Sequence, residues 1–114
     1  MALYVDESGR KTWTRVVYVV DLDPAACNEY GTACEGDCAH RPVYVGETAL
    51  EPAERFDQHK SGVKASKWVK HFGIGLNEDL MTDAEYETTE SSELAEAVTA
   101  ALLRQAGYCV FGGH

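Results

Sequence analysis

The sequence predicts a single domain of the α/β (α+β) class, and three observations lead to that prediction. Strand-like apolar runs alternate with segments of helical pattern, and a chain of 114 residues has room for only one core. A content of 45% apolar and 25% charged residues is typical of a folded globular protein. We expect one domain over residues 1–114, with a cysteine-containing insertion at about residues 24–41. Its sheet is expected to be small, three-stranded and mainly antiparallel, with helices flanking it.

Runs of β-branched and aromatic residues predict the strands. The first strand is TWTRVVYVVDL at 12–22, with a short strand at Tyr4–Val5 before it. PVYVG at 42–46 and GIGL at 73–76 predict the second and third strands. The long loop between the first two strands predicts an antiparallel pair, and the tail at 108–114 is expected to be extended.

Start and stop signals delimit the predicted helices. Pro52 suits a first helical position, and Gly62 ends that helix. A second short helix is expected over 63–71. The pattern T-x-x-E at 82–85 is a capping box that predicts the start of a long helix. Apolar residues recur along it at helical spacing and Gly107 is its expected stop; these residues are Leu94, Val98, Ala101 and Leu102.

The charge of the chain is unevenly distributed. Nineteen acidic against ten basic residues give a net charge of -9, which alone argues against a nucleic-acid partner. Eight of the acids lie between Glu78 and Glu96, where no Lys or Arg occurs. Residues 60–72 contain four lysines and no acid. An acidic molecule can therefore have a basic face, although solvated helix surfaces explain both segments equally well.

Two strand motifs and three helical residues occur in a suggestive order. Tyr18 is the centre of VYV on the first strand, and Tyr44 begins YVG on the second. Arg55 follows eleven residues after Tyr44, His59 lies one turn later, and Glu96 is on the long helix. This order resembles the GIY-YIG nuclease superfamily, with VYV in place of GIY and YVG in place of YIG. The likeness covers roughly residues 16–107 and is closest to small stand-alone bacterial members.

The resemblance implies a divalent-metal-dependent endonuclease that hydrolyses a phosphodiester bond in nucleic acid. It implies that Tyr18 and Tyr44 place or activate water, that Arg55 binds the scissile phosphate, and that Glu96 holds Mg²⁺ or Mn²⁺. These residue types suit the reaction, because a guanidinium grips two phosphate oxygens and one carboxylate can hold Mg²⁺. His59 is a second candidate for proton transfer.

The choice of glutamate and two departures qualify the likeness. Glu96 is chosen over Glu93 because its distance to Thr99 and Tyr108 matches the helix of the family. Glu47 stands where family members often carry Lys, and the Asn often found after the metal-binding helix has no clear match. Losing that Lys is expected to remove a positive charge beside the site. The alternative function is a non-catalytic module that binds nucleic acid or protein on a nuclease-like fold.

If the chain is a nuclease, the basic segment predicts its nucleic-acid contacts. Lysines would follow the phosphates and an aromatic ring would stack on a base; these residues are Lys60, Lys64, Lys67, Lys70 and Trp68. DNA is expected as the substrate rather than RNA, with specificity supplied by a homodimer or a targeting partner. Because no basic stretch leads into an apolar one at Met1–Glu7, and no apolar run reaches about 20 residues, we expect a cytoplasmic protein without a membrane partner.

Four cysteines occur, and without an export signal free thiols or a metal site are favoured over disulfides. Three of them, Cys27, Cys34 and Cys38, form the pattern C-x6-C-x3-C-x-H with His40. Three thiolates and an imidazole suit tetrahedral Zn²⁺, so a zinc-stapled loop is one interpretation. The spacing matches no common zinc motif, and loop thiols or a disulfide are the other interpretation.

Overall fold

The computed structural model describes residues 3–5, 11–26, 42–62, 66–82 and 84–112. Strands and helices alternate along these residues, as the α/β class requires. In chain order the elements are β1 (Leu3–Val5), β2 (Lys11–Trp13), β3 (Val16–Leu22), β4 (Val43–Thr48), α1 (Pro52–Ser61), α2 (Lys67–Phe72), β5 (Gly73–Leu76), a 3-10 helix (Glu78–Leu80), α3 (Thr89–Gln105) and β6 (Val110–Gly112).

The main sheet in the described part of the chain has four strands in the order β5-β3-β4-β6. β3 pairs antiparallel with β4 and with β5, as predicted. The expectation of three mainly antiparallel strands is incomplete, because β6 joins as a fourth strand parallel to β4. The chain returns through α3 before it forms β6, and such a crossover places the last strand parallel to its neighbour.

The predicted first strand is divided in two. β2 pairs with β1 in a separate two-stranded sheet, whereas β3 begins at Val16 and belongs to the main sheet. Arg15, between them, forms an isolated bridge with Tyr86 in which each backbone N–H donates to the other residue's carbonyl at 2.7 Å. This bridge attaches the beginning of β3 to the segment that precedes α3.

The signals at Pro52 and Gly62 are confirmed, since α1 begins at Pro52 and Gly62 follows its last residue with a φ of +89°. The capping box at 82–85 does not start the long helix. α3 begins at Thr89, and the Thr88 side chain accepts a hydrogen bond from the Ser91 N–H. The bridge of Tyr86 to Arg15 holds the chain out of helical conformation there, and tertiary pairing thus overrides the local capping signal.

Helices cover both faces of the main sheet. On the face covered by α3, Ala100 and Leu103 pack against Val17, Val45 and Val110. On the opposite face, covered by α1 and α2, the buried cluster includes Tyr18, Val20, Leu22, Val69 and Phe111.

The apolar residues that predicted the long helix lie on its outer side, where Leu94 is 67%, Val98 49% and Leu102 59% exposed. Among the described residues, no helix has the length and apolarity to span a bilayer.

Candidate functional site

The two motif tyrosines lie on the sheet face that α1 and α2 cover. Tyr18 pairs with Gly46 and Tyr44 with Val20 across β3 and β4, and alternation along the strands puts both phenol rings on one face. Their ring centroids are 6.3 Å apart. Gly46 leaves the space that Tyr18 occupies, because a Cβ at Gly46 would lie 2.6 Å from the phenol oxygen. The glycine of the YVG motif is therefore a packing requirement of the tyrosine in VYV.

A second glycine makes room for Tyr44. Gly112 in β6 has a φ of +75°, and a Cβ there would lie 2.7 Å from Cε1 of the Tyr44 ring.

Because β6 pairs only with Val43–Val45, residues 46–48 of β4 have no strand on that side in the described part of the chain. The tyrosine pair is thus next to a sheet edge.

His59 is the buried partner of Tyr18. It lies in the last turn of α1, is 1% exposed, and its Nε2 is 2.8 Å from the Tyr18 Oη. The Ser66 backbone N–H donates to His59 Nδ1 at 2.9 Å. An N–H group can only donate, so Nδ1 must be unprotonated and the proton of a neutral imidazole must be on Nε2. His59 therefore donates to Tyr18.

Burial determines the protonation states of this pair. Burial, with a smaller contribution from the Arg55 charge, lowers the pKa of His59 to about 4, so the imidazole is neutral near pH 7. Burial chiefly raises the pKa of Tyr18, and the neighbouring Tyr44 and Glu96 act in the same direction. Tyr18 consequently keeps its proton near neutral pH, and the neutral His59 has no free lone pair with which to accept it.

Arg55 brings a cation to the same tyrosine. Its side chain is partly exposed in the middle of α1 and hydrogen-bonds to Tyr18. Its Nη1 also donates to Gln58 Oε1 at 3.0 Å. The charge of Arg55 and its hydrogen bond lower the pKa of Tyr18, which opposes part of the effect of burial.

Glu96 is on α3, which covers the opposite face of the sheet, and it acts on the tyrosines through its charge. It is 6% exposed, and its negative charge raises the pKa of both Tyr18 and Tyr44. Glu93 is exposed one turn earlier, and its charge acts on Arg15 instead. Of the two glutamates, it is thus Glu96 whose charge reaches the tyrosine pair.

The site offers few metal ligands. Within the described ranges, no group of three or more His, Cys, Asp or Glu side chains is arranged to hold a metal ion. Mg²⁺ commonly takes only one or two carboxylates and keeps its remaining positions for water and phosphate oxygens. Glu96 alone fits that minimal requirement, so the donor set is compatible with a hard divalent cation such as Mg²⁺ or Mn²⁺.

Ser66 is a site residue that the sequence reasoning missed. It caps the N-terminus of α2 by accepting from the Trp68 N–H, and its backbone N–H sets the His59 tautomer. Its side chain also hydrogen-bonds to Tyr44, which lowers the pKa of that phenol and partly offsets the effect of burial. A capping pattern in the sequence could have indicated that a helix starts at Ser66. It could not have indicated that Ser66 contacts His59 and Tyr44.

The basic segment has structural contacts of its own. Lys60 Nζ donates to the carbonyls of Lys70 and Gly73 at 3.2 and 3.0 Å, which holds α1 against the end of α2. Lys67 Nζ lies 4.8 Å from the Trp68 ring centroid. Trp68 is partly buried and packs on Phe111 of the core, with ring centroids 4.5 Å apart. The side chain of Lys70 is exposed, and Lys64 lies outside the described residues.

The zinc hypothesis concerns residues that the structure does not describe, because Cys27, Cys34, Cys38 and His40 all lie outside the described ranges. Cys109, by contrast, is fully buried just before β6 and is disulfide-bonded. The expectation that the cysteines are thiols or metal ligands rather than disulfides is therefore wrong for Cys109.

Comparisons of the chain with family models, curated proteins and solved structures find no match.

Proposed function

We propose that the chain is a divalent-metal-dependent endonuclease that hydrolyses a phosphodiester bond in nucleic acid, with DNA as the expected substrate. One observation carries the proposal: the cationic Arg55 and the buried carboxylate of Glu96 both act electrostatically on the same pair of phenols. Arg55 hydrogen-bonds to Tyr18, Tyr44 is its ring neighbour, and the charge of Glu96 acts on both phenols. Phosphoryl transfer needs this combination of positive charge, oriented donors and a group that can hold a metal ion.

Each side chain has a role that follows from its protonation state. Arg55 is the phosphate ligand, since its guanidinium is cationic and partly exposed. Tyr18 and Tyr44 act as hydrogen-bond donors in the resting enzyme because the pKa values of both are raised, and they orient a water molecule or a phosphate oxygen. His59 holds Tyr18 in place by donating to its oxygen. Glu96 would hold the divalent cation, whose positive charge would offset the negative charge of the phosphate oxygens.

The hydrogen bonds of His59 argue against proton transfer, the role for which its residue type made it a second candidate. A general base must accept a proton, yet Nδ1 of His59 is occupied by the Ser66 N–H and Nε2 carries the imidazole proton. We therefore assign His59 to positioning Tyr18 rather than to proton transfer.

A non-catalytic binding module is the second candidate, and the raised pKa values of both tyrosines favour it. With neither phenol ionised at rest, the site lacks a ready base near pH 7. In that case the same groups would bind a phosphate without cleaving it.

Nicking of supercoiled plasmid, measured beside DNA binding, separates the two candidates. The nuclease proposal predicts nicking in Mg²⁺ or Mn²⁺ that EDTA abolishes, and a loss of about 100-fold or more in Arg55→Ala. Glu54→Ala, an exposed position on the same helix, is the matched control and should nick like the wild type. Binding without any nicking, or unchanged nicking in Arg55→Ala, would support the binding module instead.

A further inference from the structure

Glu47 stands where members of the resembled family often carry Lys, and its contacts indicate a role of its own. It follows Gly46 in β4, and alternation along the strand turns its side chain toward the face that α3 covers, away from the tyrosine rings. The replacement of a family Lys by Glu47 therefore removes no cation from the tyrosine face.

Two partners hold the Glu47 carboxylate. Arg15 Nε and Nη2 donate to its two oxygens at 2.5 and 2.9 Å, in the bidentate geometry that Arg and carboxylate favour. Ser92 Oγ lies 2.9 Å from Glu47 Oε2 and 3.0 Å from the Thr89 carbonyl. The ionised carboxylate is the stronger acceptor of the single hydroxyl proton. The hydrogen bonds from Arg15 and Ser92, together with the Arg15 charge, outweigh burial and lower the pKa of Glu47.

These contacts act on the part of α3 that carries Glu96. Ser92 is fully buried and precedes Glu96 by four residues, so both side chains lie on the same helix face, one turn apart. The Arg15 backbone also pairs with Tyr86, just before the helix. One arginine thus attaches both the segment before α3 and, through Glu47, the first turn of α3 to the sheet.

We propose that Glu47 is a positioning residue that, through Ser92, fixes the turn of α3 bearing Glu96 and thereby sets the affinity of the site for its divalent cation. This inference rests on the proposed function, because it takes Glu96 as the metal-holding group. It reverses the expectation at residue 47: Glu47→Lys, which restores the residue type common in the resembled family, should impair the site because it places a cation beside Arg15.

Two measurements test the proposal, and neither relies on activity alone. Mn²⁺ binding, followed by the electron paramagnetic resonance signal of the free ion, should weaken about tenfold in Glu47→Gln, the lower end of the effect of removing a residue that supports a metal ligand. It should weaken further in Glu47→Lys. Hydrogen exchange without metal should be faster in the first two turns of α3 in both variants. Glu54→Gln, which removes a charge from an exposed site in α1, away from the turns whose exchange is measured, is the control and should match the wild type.

The outcomes distinguish the two proposals. If the wild type binds Mn²⁺ and nicks DNA but Glu47→Gln binds Mn²⁺ as tightly, the positioning role is wrong while the nuclease proposal stands. If Glu47→Lys binds Mn²⁺ more tightly than the wild type, residue 47 acts directly as a charge, which also overturns the positioning role. If the wild type neither binds Mn²⁺ nor nicks, the nuclease proposal fails, and the role of Glu47 fails with it.

Discussion

Lowering the pH should destabilise the fold through His59, in a window that its surroundings define. The imidazole is 1% exposed with a pKa of about 4, whereas an unfolded chain has a histidine pKa of about 6.5. The folded-state pKa lies below the unfolded one, so the unfolded chain takes up the proton first as the pH falls. The stabilising contribution of neutral His59 is complete above about pH 6.5 and is lost progressively down to about pH 4.

The size of the effect follows from these two pKa values. The difference between the folded and unfolded pKa of His59 corresponds to about 3 kcal/mol of the free energy of unfolding. About 2 kcal/mol of this contribution should be lost between pH 7 and pH 5. Glu47, with its lowered pKa, should contribute mainly at more acidic pH, because a carboxylate pKa is ordinarily near 4 even before it is lowered. The loss between pH 7 and pH 5 therefore reports chiefly on His59 among the groups with shifted pKa values.

Urea unfolding at pH 7, 6 and 5 measures this loss directly. His59→Gln is the matched variant, because an amide can still donate to Tyr18 and accept from the Ser66 N–H but does not titrate. Between pH 7 and pH 5, the free energy of unfolding of the variant should fall by about 2 kcal/mol less than that of the wild type. Equal losses in the wild type and His59→Gln would refute the assignment of a buried neutral imidazole, as would an NMR titration that places the pKa of His59 near 6.5.

Three substitutions probe the packing around the tyrosines. Gly46→Ala should destabilise the protein by about 1–3 kcal/mol and displace Tyr18, because the new methyl overlaps the phenol; urea unfolding that matches the wild type would contradict this. Tyr18→Phe should lower the free energy of unfolding by about 1–3 kcal/mol, because the buried His59 Nε2–H is left without an acceptor. If urea unfolding shows a smaller loss for Tyr18→Phe than for Tyr44→Phe, that result would argue against the hydrogen bond. Ser66→Ala should raise the pKa of Tyr44 in a spectroscopic titration, whereas Ser66→Thr should preserve it, and equal values in both variants would exclude the Ser66 contact.

Local signals in the sequence were enough to predict the elements that carry the site. Alternation in VYV and YVG, with the antiparallel pairing of the first two long strands, put Tyr18 and Tyr44 on one face. Pro52 and Gly62 fixed the ends of α1 and hence the positions of Arg55 and His59 along it. These predictions succeeded because each depended on a short segment or on one strand pair.

Features that depend on tertiary contacts could not be predicted in this way. The capping pattern at 82–85 is locally valid, but the bridge from Tyr86 to Arg15 prevents a helix there. β6 is parallel to β4 only because of the path that the chain takes through α3. The direction of the hydrogen bond between His59 and Tyr18 depends on a backbone N–H seven residues further along, at Ser66.

The apolar spacing along α3 is the remaining example. It predicted a helix correctly but not the side that packs on the sheet. The packed side carries Ser92, Glu96, Ala100 and Leu103, two of which are polar. Polar residues on a packed helix face weaken the hydrophobic pattern that sequence analysis relies on. Of these two polar residues, Ser92 contacts Glu47, and Glu96 is the carboxylate proposed to hold the metal ion.

The central claim is that Glu96 and the tyrosine pair form one hydrolytic site, and its most direct test is the single-turnover rate of plasmid nicking in Mn²⁺. Glu96→Ala should lower that rate by about 100-fold or more, whereas Glu93→Ala, one turn earlier and exposed, should retain the wild-type rate. A wild type that never nicks, or a Glu96→Ala variant that nicks as fast as Glu93→Ala, would contradict the claim.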